Sequence, residues 1–266
     1  MNIRITAGND NPGVCFVAKN KQTLQFLLII TAAMILRVVY AVLHPIETRD
    51  GIWYINFTQK WFEAGDAALP VYETMSPPLY CYLGKNLMYC GLSAAEALLY
   101  INMICGILLL IPAYLIGRYI YNDRNAGLWF AAFAAVMPPL VEYSCVRLRE
   151  GLYLFLLFWI VCLWIMALKR INWKLNAFIG GCLCIPALYC RYEAWEMFPF
   201  MLLGLPLVML FPNWKWKEAL GSAGFVLLGI VVAGVIFYFL PGMPNIFNIL
   251  FNRIFAQCLG TSLNPL

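Results

Sequence analysis

The chain has 266 residues, of which 63% are hydrophobic and 12% are charged, with a mean hydropathy of +0.77 and a formal net charge of +5. Soluble domains contain roughly 45–50% apolar and 25% charged residues, so this composition excludes an ordinary soluble protein and predicts an integral membrane protein. The basic residues lie mostly in short connectors between apolar runs, where they set orientation, and we therefore exclude nucleic acid as a partner.

Seven apolar segments follow one another along the chain and predict an all-α, polytopic transmembrane bundle of about seven spans. A helix rises about 1.5 Å per residue, so about twenty apolar residues cross the hydrocarbon core. Prolines inside these segments predict kinks, which neighbouring helices can tolerate. The segments are 24–43, 97–117, 126–146, 151–168, 175–190, 195–211 and 219–240, and the prolines are Pro112, Pro138, Pro139, Pro186 and Pro206.

The domain organisation follows from these segments. A polar N-terminal tail, 1–23, precedes a bundle, 24–240, that contains one long loop, 44–96. The C-terminal tail, 241–266, has an amphipathic stretch that fits either an outer interfacial helix or a segment packed on the bundle.

Orientation follows from the lysines and arginines between the segments. The side that holds the N-terminus has ten of them against three acids, whereas the opposite side has seven basic residues and ten acids. Because cytoplasmic loops are enriched in basic residues, we expect a cytoplasmic N-terminus and an outward-facing loop 44–96.

The outer loop contains an aromatic repeat that predicts an amphipathic helix in the membrane interface. Trp53, Phe57 and Trp61 recur every four residues with Tyr54 beside them, and the opposite side of the wheel is polar: Asn56, Gln59, Lys60 and Glu63. Either Thr48 or Asp50 is expected to cap its start, and Gly65 is expected to end it. An ordinary capping aspartate is the simpler interpretation of Asp50.

Arginine stands beside a carboxylate at three span mouths on the outer side. The planar guanidinium of arginine suits phosphate, and the low dielectric near lipid headgroups strengthens such contacts, so a lipid phosphate is the predicted ligand. Taken singly, each arginine also fits an interfacial residue paired with its neighbouring acid. Because all three pairs are expected on the same side of the membrane, phosphate binding is favoured over three unrelated interfacial pairs. The pairs are Arg49 with Asp50, Arg149 with Glu150, and Arg191 with Glu193.

Four short motifs occur in the same order as in a known family. They are RDGIWY at 49–54, SPPLY at 76–80, REGLY at 149–153 and RYE at 191–193. Together with the first span, they resemble the polytopic glycosyltransferases that use polyprenyl-phosphate sugars (the GT-C superfamily), which include protein O-mannosyltransferases and the aminoarabinose transferases of lipid A. The resemblance covers approximately residues 24–211.

The resemblance implies an enzyme that moves a sugar from a polyprenyl-phosphate donor to a lipid, glycan or protein acceptor. It places the reaction at the outer face of a membrane, which we expect to be the bacterial plasma (inner) membrane. By resemblance, Asp50 is the catalytic residue. The expected substrate-binding residues are Arg49, Tyr54, Arg149, Glu150, Arg191 and Glu193.

The resemblance leaves the metal requirement open. No cofactor is indicated, although some relatives hold a divalent metal at this site. Here the available ligands would be His44, Glu47, Asp50, Glu150 and Glu193, and these residues lack the spacing of a metal motif.

Two alternatives to the enzyme remain. Many relatives carry a second acid where this chain has Gly51, and many continue through more spans into an outer domain, so a non-catalytic, truncated relative acting as a partner subunit is one alternative. The other is a transporter or flippase for a lipid-linked or anionic solute. Such a protein needs ionisable groups inside the membrane, and Arg37 is the obvious one.

Overall fold

The structure is a computed structural model that describes residues 12–45, 47–65, 78–196, 216–240 and 243. These residues form helices and short connections, with no strand among them, which confirms the predicted all-α class. In chain order the helices are α1 (Pro12–Leu43), α2 (Arg49–Ala64), α3 (Leu79–Met88), α4 (Ala94–Leu108), α5 (Leu110–Tyr121), α6 (Arg124–Val136), α7 (Pro138–Cys145), α8 (Glu150–Leu168), α9 (Trp173–Cys190) and α10 (Trp216–Tyr238), with a 3-10 helix at Tyr192–Glu196.

Within the described residues, five helical stretches are long and apolar enough to cross a membrane. The bent pair of α6 and α7 makes a sixth if the two helices form one span. The chain therefore has the architecture of a multi-pass membrane protein. The five stretches are Lys21–Leu43, Ala94–Tyr121, Glu150–Leu168, Trp173–Cys190 and Leu220–Tyr238.

These stretches and the bent pair coincide with six of the seven predicted segments. The remaining segment, 195–211, lies outside the described residues apart from its first two positions, and the tail 241–266 lies outside them apart from Met243. Helix α1 begins at Pro12, so helical structure extends into the predicted polar tail.

One of the predicted kinks is a sharp bend in the structure, at a point where prolines remove backbone donors. Before Pro112 the helix is interrupted at Leu109, but Ala94–Tyr121 continues as one stretch. Helices α6 and α7 meet at Met137 with a bend of 56°, directly before Pro138 and Pro139. By contrast, α9 continues through Pro186; Pro206 lies outside the described residues.

The helices of the bundle pack on one another, and α2 and α3 pack against α4 and α9. Helix α9 packs against α8 and α10, α1 packs against α6 and α7, and α4 contacts α3, α7 and α8. The largest hydrophobic cluster lies where α2 and α3 meet α4, α8 and α9. This cluster fixes α2 relative to the start of α8.

Helix α2 has the predicted bounds, and its aromatic face packs on protein. The Thr48 hydroxyl accepts a hydrogen bond from the Gly51 N–H at 3.0 Å, so Thr48 rather than Asp50 is the cap. Gly65 ends the helix with φ of +60°, a conformation that favours glycine. Tyr54, Phe57 and Trp61 are buried among α3 and the bundle helices. The amphipathic pattern is confirmed, whereas a position in the lipid interface stays a prediction.

Candidate functional site

An open hollow of about 570 Å³ lies beside the N-terminal half of α2. It joins the start of that helix to the turn that precedes α8, two parts of the chain that are distant in sequence. The described residues that line it are Arg49, Asp50, Ile52, Trp53, Tyr54, Asn56 and Arg149. Four of these, Arg49, Asp50, Tyr54 and Arg149, are predicted site residues.

The charges of the hollow favour an anion. Among its described lining residues, Arg49 and Arg149 are the cations and Asp50 is the acid. Asp50 lies in the first turn of α2, where the positive end of the helix dipole stabilises a carboxylate. Its side chain is exposed, so it is accessible from the solvent.

Tyr54 and Trp53 form the apolar wall of the hollow. The two rings meet edge to face at 5.2 Å, and the Tyr54 ring also meets the ring of Tyr80 edge to face at 5.7 Å. Because Tyr54 is buried and Trp53 half-buried, this wall is a fixed part of the core rather than a mobile rim.

The other predicted residues form a row of alternating charges next to the hollow. The Glu150 Oε1 atom lies 3.9 Å from Arg149 Nε and 3.7 Å from Arg191 Nη1. Arg191 Nε in turn lies 3.2 Å from Glu193 Oε2 and donates a hydrogen bond to it. Glu150 therefore links Arg149, which lines the hollow, to Arg191, which follows α9.

The charges of this row shift the pKa values of Arg191 and Glu193. For Glu193, burial favours the neutral form, but hydrogen bonding and the charge of Arg191 outweigh it and lower its pKa. For Arg191, burial opposes the charged form, but the carboxylates of Glu193 and Glu150 raise its pKa. Arg191 also lies 5.7 Å above the Tyr153 ring.

Arg191, Glu150 and Glu193 do not belong to the described lining of the hollow. The structure thus brings Arg149 and Asp50 into one hollow and attaches Arg191 to it through Glu150. Two of the three pairs predicted from sequence, Arg149 with Glu150 and Arg191 with Glu193, consequently form one connected row. Arg49 and Asp50 share the hollow with Arg149.

A buried asparagine holds the turn that carries Arg149. Asn102 is 0% exposed on α4, and its Nδ2 donates to the carbonyls of Val146 and Leu148, each at 2.6 Å. These carbonyls flank Arg147 in the connection between α7 and α8. Sequence reasoning missed Asn102, although an asparagine inside an apolar span is a usable signal.

Tyr80 extends this hydrogen-bond network into α3. Asn102 Nδ2 also lies 3.0 Å from the Tyr80 hydroxyl, which donates to the carbonyl of Leu98 at 3.0 Å. Burial raises the pKa of Tyr80 well above its ordinary value, so the hydroxyl stays neutral and keeps its proton for this bond. Tyr80 ends the SPPLY motif, of which positions 76 and 77 lie outside the described residues.

Gly151 allows the close packing of this network. A Cβ atom at Gly151 would lie 2.7 Å from Asn102 Oδ1 and 2.7 Å from the carbonyl oxygen of Tyr143. Only a glycine lets α8 begin against these groups, which explains the residue that follows Glu150 in the REGLY motif.

A further ion pair fixes the approach to α2. Arg147 pairs with Glu47, and its Nε also donates to the carbonyl of Ala95 at 3.3 Å. Burial lowers the pKa of Arg147. The same turn that carries Arg149 is therefore tied to the segment that leads into Asp50, a contact that sequence reasoning missed.

The possible metal ligands take other partners. Across the ranges that the structure describes, no three histidine, cysteine, aspartate or glutamate residues come together in a way that could hold a metal ion. Glu47 pairs with Arg147, and Glu150 lies between two arginines. His44 stacks on Tyr40, with ring centroids 4.5 Å apart.

Comparison with known protein families and curated proteins gives no match for this chain. No model of a known protein family matches the chain, and no curated protein matches it at a significant level. Its function is therefore inferred from the geometry of the site.

Proposed function

We propose that the chain is a membrane glycosyltransferase that moves a sugar from a polyprenyl-phosphate donor to a lipid, glycan or protein acceptor. The observation that supports this most directly is the hollow shared by Asp50 and Arg149. It combines an accessible carboxylate with guanidinium groups, the two kinds of group that this reaction needs.

The chemistry assigns a separate task to each side of the hollow. Asp50 accepts the proton of the acceptor hydroxyl as its oxygen attacks the anomeric carbon of the donor sugar. The bond between that carbon and the phosphate oxygen breaks, and its electron pair leaves with the polyprenyl phosphate. Arg149 and Arg49 offset the negative charge that grows on this phosphate.

The row of Glu150, Arg191 and Glu193 supports Arg149, the residue that binds the donor phosphate. Glu150 holds Arg149 and Arg191 near each other, at 3.9 and 3.7 Å from one carboxylate oxygen. A phosphate group that enters the hollow gains charge-assisted hydrogen bonds from Arg149, with Arg191 as a second cation behind it. Tyr54 provides an apolar surface for the sugar or acceptor.

The proposal includes a membrane topology. The chain would have seven spans, with the sixth at 195–211, a cytoplasmic N-terminus and the hollow at the outer face of the bacterial plasma membrane. The excess of basic residues on the N-terminal side supports this orientation. A membrane-dissolved donor reaches a hollow at the bilayer surface without leaving the lipid.

The test is an assay with labelled polyprenyl-phosphate sugar and a panel of lipid, glycan and protein acceptors, on protein in lipid nanodiscs. Asp50→Asn should reduce transfer by about 10²–10⁴-fold, the usual contribution of a general base. Glu63→Gln is the matched control, because Glu63 is an exposed acid on the same helix that pairs with Gln59. Transfer by Asp50→Asn at the wild-type rate would reject the role of Asp50.

A flux measurement in proteoliposomes, made beside the transfer assay, separates the alternatives. A transporter or flippase would move the labelled lipid across a proteoliposome without cleaving its glycosidic bond. Arg37, the residue on which that alternative depends, is fully buried and donates to backbone carbonyls, which gives that alternative no support. A partner subunit would show transfer only when a second membrane protein is added.

A further inference from the structure

Arg37 is a fully buried cation within the first candidate span. Its side chain is 0% exposed, and among the described residues no carboxylate pairs with it. Its Nη1 donates to two backbone carbonyls, that of Ala33 in its own helix at 3.2 Å and that of Ala135 in α6 at 3.1 Å. An ionisable side chain in such a place is costly, which indicates a specific task.

The contact with Ala135 lies at the bend between α6 and α7. In a continuous helix the Ala135 carbonyl would accept from the N–H four residues later, but that residue is Pro139, which has none. The guanidinium of Arg37 supplies the missing donor. It therefore donates a hydrogen bond to a carbonyl that has no helical donor at this 56° bend.

Arg37 also contacts the other end of α7. The Sγ of Cys145, the last residue of α7, donates to the main-chain carbonyl of Arg37 at 3.2 Å. Helix α4 passes close by, where a Cβ atom at Gly106 would lie only 3.1 Å from Arg37 Nε. A single residue of α1 thus contacts the last turn of α6 through its side chain and the last residue of α7 through its main-chain carbonyl.

Helix α7 leads directly into the turn that carries Arg147 and Arg149. Asn102 holds the carbonyls of that turn, but it does not contact the start of α7. Because α7 has only eight residues, a change in its direction at the bend would displace the turn that follows.

We infer that Arg37 is a positioning residue, which fixes the α6–α7 bend and thereby the placement of Arg149 in the hollow. The inference about Arg149 rests on the proposed donor site, whereas the inference about the bend does not. The inference rests on the Nη1 atom, whose two acceptors are backbone carbonyls; Nε and Nη2 are buried and have no hydrogen-bond partner among the described residues.

Four proteins in lipid nanodiscs test the inference: wild type, Arg37→Lys, Arg37→Met and the double variant Arg37→Met with Pro139→Ala. Lysine keeps a donor for the two carbonyls, whereas methionine keeps only the apolar stem. The alanine at position 139 restores the N–H that Ala135 lacks and lets the helix straighten.

Two measurements are made on each protein. The first is the distance between spin labels on unnatural residues at positions 129 and 142, which are exposed on α6 and α7. The second is the affinity for a short-chain isoprenyl phosphate, measured by titration. Arg37→Lys should retain both values, with affinity within about twofold of wild type, a difference well below 1 kcal/mol.

Arg37→Met should change the distance between the labels and lower the affinity for the isoprenyl phosphate about tenfold or more. The double variant separates positioning from stability: its thermal stability should recover, whereas the distance and affinity should not. A wild-type distance and affinity in either methionine protein would overturn the inference. If wild type fails to bind the probe, the proposed donor site is rejected, and the distances alone still decide the role at the bend.

Discussion

Asp50 and Arg149 line the same hollow, although one belongs to the first turn of α2 and the other to the turn before α8. The ion pair of Arg147 with Glu47 joins these two segments at their approach. The hollow thereby contains both a carboxylate and guanidinium groups, the combination on which the proposed reaction depends.

Replacing Arg149 with methionine should weaken donor binding without unfolding the bundle. A charge-assisted hydrogen bond contributes about 1.5–3 kcal/mol, so the dissociation constant for an isoprenyl phosphate should rise by roughly 10–150-fold. Titration of protein in nanodiscs measures it. Arg124→Met is the control, because Arg124 is exposed at the start of α6 and does not belong to the described lining of the hollow. Equal losses in both variants would indicate a nonspecific effect of charge.

Replacing Asn102 with leucine should destabilise the protein and also lower its affinity for the isoprenyl phosphate probe. The substitution removes the donor for the carbonyls of Val146 and Leu148, and an unpaired buried polar group costs about 1–3 kcal/mol. Thermal unfolding in detergent and probe titration measure the two effects. If Asn102→Leu lost stability but bound the probe at wild-type affinity, the turn would not depend on Asn102 for its placement.

Gly151→Ala should destabilise the start of α8, because its Cβ would lie 2.7 Å from both Asn102 Oδ1 and the Tyr143 carbonyl. Overpacking of this kind costs about 1–3 kcal/mol. Gly234→Ala is the matched control: no atom lies within 4 Å of the added Cβ, and alanine is the better helix former by about 1 kcal/mol. A stable Gly151→Ala protein would contradict the packing at this turn.

The pKa of Glu193 should respond to Arg191. Because the folded state lowers this pKa, its stabilisation is present above the unfolded value of about 4.3 and is lost as the pH falls through the folded value. The effect is small, since the side chain is 56% exposed. Infrared titration of isotope-labelled Glu193 should show a raised pKa in Arg191→Met. An unchanged titration would show that the pair does not form.

The fold was largely predictable because each span is long and apolar enough to be recognised alone. Six of the seven segments and the stop at Gly65 follow from local sequence, which also limited the cap to Thr48 or Asp50. The bend at Met137 was also indicated by the prolines that follow it.

The site was predictable only in part, because contacts between distant segments have no local signature. The motifs named Asp50 and Arg149 but did not reveal that Glu150 joins Arg149 to Arg191. Asn102 and Arg37 look like isolated polar residues in apolar segments. Their tasks appear only when the carbonyls that they bind are brought to them by other helices.

The most direct measurement is a single-particle electron microscopy map of the protein in nanodiscs with a polyprenyl-phosphate sugar. We expect phosphate density in the hollow about 3 Å from the Arg149 guanidinium, with the sugar on the side of Asp50. Donor density at another place, with the hollow empty and Arg149 and Asp50 far from the lipid phosphate, would contradict the proposed site.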